Sequence, residues 1–239
     1  MVCDIDEDKA HKAKGAKFFT DWNEMVKDPL FQEVDYVAIC TPNHLHYPMA
    51  KALYNKKVIL EKPPTINVAE AEDLVGNDIS CVVQLRYNPY LAKLRARIEK
   101  SDNVEMSICV HRDEDYMNSW KNDIDRSGGL LFNIGVHYFD LVSWMFGHYL
   151  DGKITTNKPK YCDGVIELER ARVKWQLSID QPRDNQFRYL RIDGEDVDLT
   201  KNFEGLHTRA YEQILKGNSV KIEDILPTIQ LIENLYATG

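Results

Sequence analysis

The sequence predicts an α/β chain in which a doubly wound parallel sheet is followed by an α+β domain with an open, largely antiparallel sheet. Through residue 85, short apolar, β-branched runs alternate with helix-period segments, as strands covered on both faces do. Beyond Gly147 the alternation has period two with no helices between, which marks a sheet with one wet face. The predicted division is 1–85 and 86–239.

Taken in order, residues 1–6 end a strand and 6–15 form a short helix, acidic in its first turn and stopped by Gly15. Residues 17–20 are a strand. Asp21-Trp-Asn-Glu24 has the capping-box pattern and opens a helix that closes near Asp28-Pro29. Strands follow at 34–41, 57–61 and 79–85, with helices at 46–55 and 68–75 between them. Residues 89–100 read as a basic helix, 104–111 as a strand and 112–126 as a polar loop. Alternating strands are expected at 164–169, 171–179 and 187–192, then helices at 206–215 and 225–236.

Residues 127–147 carry the first chemical signal. As one helix at about 100° per residue, Asn133, His137, Asp140 and Trp144 fall in a single stripe, with apolar residues on the other faces. Such a helix is buried, and its amide, imidazole and carboxylate each need a partner. Taken alone, a satisfied core network, with Asp140 orienting His137, explains the stripe at least as well as a site does. Other polar clusters sit where an open parallel sheet receives ligands, at the carboxyl ends of its strands. These are Asp4, Thr41 to His46, Glu61 with Lys62, and Gln84 to Arg86.

Composition narrows the function classes. With 38 acidic against 30 basic residues the net charge is −8. No Lys/Arg block resembles a nucleic-acid arm or a membrane-surface patch, so neither partner is expected, whereas a small anion needs only about two or three local cations. The five cysteines are odd in number and mostly lie in apolar runs. They read as reduced thiols of a cytoplasmic protein, and no spacing suggests a metal site.

In order and spacing, Thr41-Pro42-Asn43-His44-Leu45-His46, Glu61-Lys62-Pro63, Gly128-Gly129 and Gly135-x-His137-xx-Asp140 resemble the Gfo/Idh/MocA oxidoreductases. Tyr116-Met-Asn-Ser-Trp120-Lys121 and Asn133-Ile-Gly-Val-His137 resemble one branch of them, the WlbA/WbpB-type UDP-N-acetylglucosaminuronate 3-dehydrogenases; many other relatives carry Asp at position 133. The resemblance implies a Rossmann domain binding NAD and a second domain whose sheet builds dimers or tetramers. It implies oxidation of a sugar C3 hydroxyl in the synthesis of a 2,3-diamino sugar for surface polysaccharide, with 2-oxoglutarate recycling NADH in some members.

Carried over, Asp4 holds the adenosine ribose, which favours NAD over NADP. Thr41, Pro42, Asn43, His46, Glu61, Lys62 and Gln84 form the rest of the cofactor set. Lys62 and His137 are the expected proton-transfer pair, in either order. Arg86, Asn133, Tyr116, Trp120 and Lys121 form the substrate set, Asp140 orients His137, and Gly128-Gly129 lets the chain pass close to the ligand. Two alternatives stand beside this reading: another sugar or inositol dehydrogenase of the family, and a non-catalytic dinucleotide or sugar sensor.

One part of the pattern differs. The family opens on a strand and a glycine-rich turn, and the first residues here already match its second strand, about thirty residues later. Three explanations stand: the sequence is part of a longer chain, the gene is truncated, or the protein has lost cofactor binding; the first is favoured and predicts an intact mass several kilodaltons above 27.7 kDa.

Overall fold

The computed structural model describes residues 1–201 and 203–239, with Asp102 as backbone only. In the amino-terminal part β1 (Val2–Cys3) pairs in parallel with β2 (Phe18–Phe19). The expected helix between them is a 3-10 turn, Glu7–Ala13, capped by Asp6. Asp21 caps α1 (Trp22–Met25) by accepting from Asn23 N at 2.8 Å. A further 3-10 turn, Pro29–Glu33, is capped by Asp28; the sequence reading treats this stretch only as the end of a helix.

Next come β3 (Tyr36–Ile39), α2 (His46–Ala52), β4 (Lys57–Leu60), α3 (Val68–Leu74) and β5 (Ile79–Cys81), with sheet order β3-β4-β5. β4 and β5 run parallel, and Glu61 N donates to Ile39 O where β3 ends. The strand expected over 79–85 is shorter. Val83 N turns back onto Cys81 O at 3.1 Å, and Gln84–Tyr87 becomes a 3-10 turn.

Beyond α4 (Pro89–Arg95) and β6 (Ser101–Cys109), the stretch expected as a loop holds α5 (Glu114–Met117), a 3-10 turn at Trp120–Asn122 and α6 (Ile124–Ser127). Asp113, Ser119 and Asp123 cap these three short elements, a local chemistry that a polar composition hides. The long helix expected over 127–147 is broken. Gly128 is left-handed at φ 76°, Leu131–Gly135 is a π turn, and regular geometry resumes in α7 (Val136–Phe146).

The rest of the chain supplies β7 (Tyr149–Lys158), β8 (Tyr161–Leu168), β9 (Ala171–Ser178), β10 (Phe187–Ile192), β11 (Glu195–Asp198), α8 (Leu206–Leu215) and α9 (Ile222–Tyr236). With β6 the strands form a six-stranded sheet ordered β11-β10-β6-β9-β8-β7. Every pairing is antiparallel except β6 with β9. α7 covers the apolar face, its Phe139 meeting Trp175 of β9 edge-on at 5.2 Å.

The chain separates into two compact units, Met1–Val37 and Ala38–Gly239. Within the second, α9 packs on α3, β5, α7 and β7. The fold class agrees with the expectation: a Rossmann-like parallel α/β part, then a mixed, largely antiparallel sheet with helices. Among the described residues no helix is long and apolar enough to cross a membrane.

Candidate active site

Lys62 leaves the end of β4 and donates from Nζ to the backbone carbonyl of Asn133, 2.8 Å away. That carbonyl lies in the π turn before α7. Burial lowers the ammonium to a pKa of about 8, with Arg112 and Lys121 acting in the same direction and Glu61 pulling against them. Beside it opens a cleft of about 450 Å³, lined by the cations Lys62, Arg112 and Lys121, the carboxylates Asp113 and Asp115, and Tyr116, Ser119, Asn133 and Ile134.

Tyr116 organises the cleft wall. Its hydroxyl accepts from Asn133 Nδ2 at 2.7 Å, while Arg112 and Lys121 stand 5.4 and 5.9 Å from its ring centre. Four residues expected at the site, Lys62, Asn133, Tyr116 and Lys121, therefore meet in one cleft. Arg112, from the stretch expected as a loop, joins them, and Asp113 and Asp115 add two carboxylates to the lining. Trp120 is half-exposed in its 3-10 turn and does not line the cleft.

His137, in the first turn of α7, is half-buried, and its Nδ1 is buried without a partner. Burial, followed by the charges of Lys62 and His207, holds the imidazole well below its ordinary range, so it is neutral near pH 7. Asp140 does not orient it. The Asp140 carboxylate accepts from Arg86 Nε at 3.0 Å and Nη2 at 2.7 Å, and from the Thr228 hydroxyl at 3.4 Å. Arg86 comes from the Gln84–Tyr87 turn and also donates to Asp224 O at 2.9 Å. Its side chain is 12% exposed. In this structure, therefore, Arg86 pairs with an internal carboxylate, and Asp140 pairs with Arg86 and not with His137.

The cofactor set divides in the same way. Asn43 is buried and donates to Ser127 O at 2.8 Å. His46 places Nδ1 2.7 Å from Pro63 O and Nε2 2.9 Å from Thr41 O, and burial lowers its pKa. His46 thus has both ring nitrogens against backbone carbonyls at the strand ends, and Asn43 ties its turn to the end of α6. Thr41 and Pro42 after β3, and Glu61 and Lys62 after β4, are half-buried at the carboxyl ends of adjacent parallel strands. This fits the nicotinamide end of a dinucleotide. Gln84 sits in the 3-10 turn. Asp4, just past β1, accepts from Lys9 Nζ at 3.0 and 3.1 Å and from Asp6 N at 3.0 Å, and these contacts hold its carboxyl below the usual range.

Gly128 and Gly129 answer to the protein's own packing. Both have positive φ, and a Cβ would fall 2.7 Å from Phe132 Cβ or 2.5 Å from the Tyr236 hydroxyl. Two residues the sequence reading passed over, His207 and Tyr211, reach the Glu61 carboxylate at 2.7 and 3.2 Å. Their four-residue spacing on the polar face of α8 was the available signal.

Residues 1–77 match the profile described as oxidoreductase family, NAD-binding Rossmann fold, and residues 97–189 the GFO/IDH/MocA C-terminal domain. The chain belongs to the Gfo/Idh/MocA oxidoreductases. The cofactor of the matched Rossmann profile is NAD, as expected from the sequence. Among solved members of the family, the WlbA (WbpB) dehydrogenase from Thermus thermophilus in complex with NAD and alpha-ketoglutarate is similar at TM-score 0.89 and 31% identity, covering 96% of this chain and 84% of that one. The Thermus thermophilus WlbA (WbpB) dehydrogenase in complex with NAD and UDP-GlcNAcA gives 0.87 and 32%, covering 96% and 83%. Of the curated relatives, an uncharacterized oxidoreductase from Synechocystis sp. is 30% identical over 144 residues, 54% of this chain and 38% of its own. The myo-inositol 2-dehydrogenase of Thermotoga maritima is 23% identical over 174 residues, 66% and 51% of the two chains. The chain spans about half the length of these curated relatives or less.

Proposed function

We propose that this chain catalyses NAD-dependent oxidation of the C3 hydroxyl of a UDP-N-acetylglucosaminuronate-type sugar, feeding 2,3-diamino sugar synthesis for surface polysaccharide. The observation that carries the reading is Lys62: an amine that burial lowers to a pKa of about 8, on a cleft lined also by Arg112, Lys121, Asn133 and Tyr116. Likeness to the Thermus dehydrogenase at 31–32% identity supports the choice of substrate.

Thr41, Pro42, Glu61 and Lys62 would hold the nicotinamide end of NAD, which when bound would supply the hydride acceptor. Lys62, partly neutral near pH 8, takes the hydroxyl proton. A neutral His137 is a poorer proton acceptor because its imidazole is so strongly depressed, and its role is to hold the reacting oxygen. Asn133 and Tyr116 receive sugar hydroxyls, and Arg112 and Lys121 receive the carboxylate or diphosphate. The outer face of the six-stranded sheet is the surface for a second copy of the chain. The reading places the protein in the cytoplasm, where its five cysteines, all free, stay reduced.

The test is absorbance at about 340 nm, where reduced nicotinamide absorbs, on the purified protein with NAD and UDP-GlcNAcA, followed by 2-oxoglutarate. A rise that 2-oxoglutarate discharges is the expected result. Turnover of myo-inositol with indifference to every UDP compound would overturn it. That outcome would favour the second reading, another sugar or inositol dehydrogenase, which the likeness to the Thermotoga enzyme supports.

A further inference from the structure

Glu61 and Lys62 directly follow β4, and their side chains take different partners. Lys62 reaches the Asn133 carbonyl, whereas Glu61 reaches α8. There one carboxylate oxygen accepts from His207 Nε2 at 2.7 Å and from the Tyr211 hydroxyl at 3.2 Å. The two donors lie one turn apart on α8, their rings 5.1 Å between centres. Leu206, Ala210 and Ile214 are buried and fix the helix. The Glu61 side chain is 18% exposed against 60% for His207, so the carboxylate is held from its solvent side.

An unrestrained carboxylate one residue from an ammonium can swing onto it as an ion pair, which holds the proton on the amine. We propose that α8, through His207 and Tyr211, restrains Glu61 from pairing with Lys62 and so keeps the Lys62 amine free to take a proton. This rests on Lys62 acting as the base, as proposed above. His207 and Tyr211 are then positioning residues, acting through Glu61. The charged and titratable groups around Lys62 are Glu61, Arg112, Lys121 and His137, with Asp113, Asp115 and Tyr116 lining the same cleft. Glu61 draws the ammonium toward its charged form, while burial, Arg112 and Lys121 oppose it. Tyr211 keeps its proton, since burial and then the neighbouring Cys40 and Glu61 push its phenol upward.

The experiment follows the reaction of Lys62 with a water-soluble amine-arylating reagent against pH, read by mass spectrometry of its peptide in the intact protein. No substrate is needed, so failure of turnover with UDP-sugars would sink the proposed function and leave this result standing. The wild-type midpoint is expected near 8. In the His207→Leu/Tyr211→Phe double variant it rises by about one unit, making Lys62 roughly ten-fold less reactive at neutral pH. Adding Glu61→Gln abolishes the rise, and His207→Gln, which keeps an N–H donor, leaves the midpoint in place. If the double variant does not fold, Tyr211→Phe alone is read for a rise of the same sign. An unmoved or lowered midpoint in the folded variant, or a rise that persists with Glu61→Gln, overturns the proposal.

Discussion

At Lys62 three influences of opposite sign meet: burial and two nearby cations lower the pKa of the amine, and the adjacent carboxylate raises it. The outcome, about 8, implies a measurable pH dependence. Because the base must be neutral to accept a proton, alcohol oxidation should rise with pH and level off above about 8, with Lys62→Met lowering kcat by about 10²–10⁴. His137→Ala should lower turnover but leave the midpoint of that profile in place, since a neutral ring adds no charge. Initial rates across about pH 6 to 10 check this, and a flat wild-type profile would count against Lys62 as the base. The convergence of Lys62, Asn133, Tyr116 and Lys121 was legible in the sequence because their motifs have a recognisable order and spacing. The fates of Arg86, Asn43 and His46 were not, because a polar residue beside a site looks the same whether it faces a ligand or a carbonyl of its own chain.

Among the elements, the Arg86–Asp140 pair joins the Gln84–Tyr87 turn to α7, and Thr228 and the Asp224 carbonyl bring α9 into the same knot. Burial raises the Asp140 carboxyl, Arg86 draws it back, and Asp140 in turn holds the guanidinium charged. Asp140→Asn leaves that guanidinium buried without its counter-charge, a loss of about 3–5 kcal/mol. Urea unfolding should show this loss while the folded fraction keeps its turnover. Intact stability with collapsed kcat would instead return Asp140 to the role of orienting His137. Periodicity located α7 but could not show the π turn before it: all five of its residues are buried, so no exposed position marks the change of turn. Nor could it show that β6 and β9 run parallel, because alternation reports which face a residue takes and not the direction of the neighbouring strand.

For the whole molecule, acid sensitivity follows from imidazoles held neutral. His46 and His137 both titrate below their ordinary range, chiefly through burial. Below about pH 6.5 the unfolded chain binds protons that the folded chain refuses. The stability they contribute is therefore complete above that pH and lost beneath it, at no more than about 1.4 kcal/mol per pH unit for each histidine and only down to its folded pKa. The depressed carboxylates, Asp28 beside Lys17 and Asp73 beside Lys51, act only at lower pH. Urea midpoints at about pH 7.5 and 5.5 should differ accordingly, and His46→Asn should flatten the slope; equal midpoints would contradict it. A last consequence concerns how such a chain diversifies. Lys62 is moored to the main-chain oxygen of residue 133 and not to its side chain. Every amino acid offers that oxygen, so the side chain at 133 can be exchanged for one that suits another sugar while the base stays anchored, and substrate preference can drift without the chemistry being reinvented.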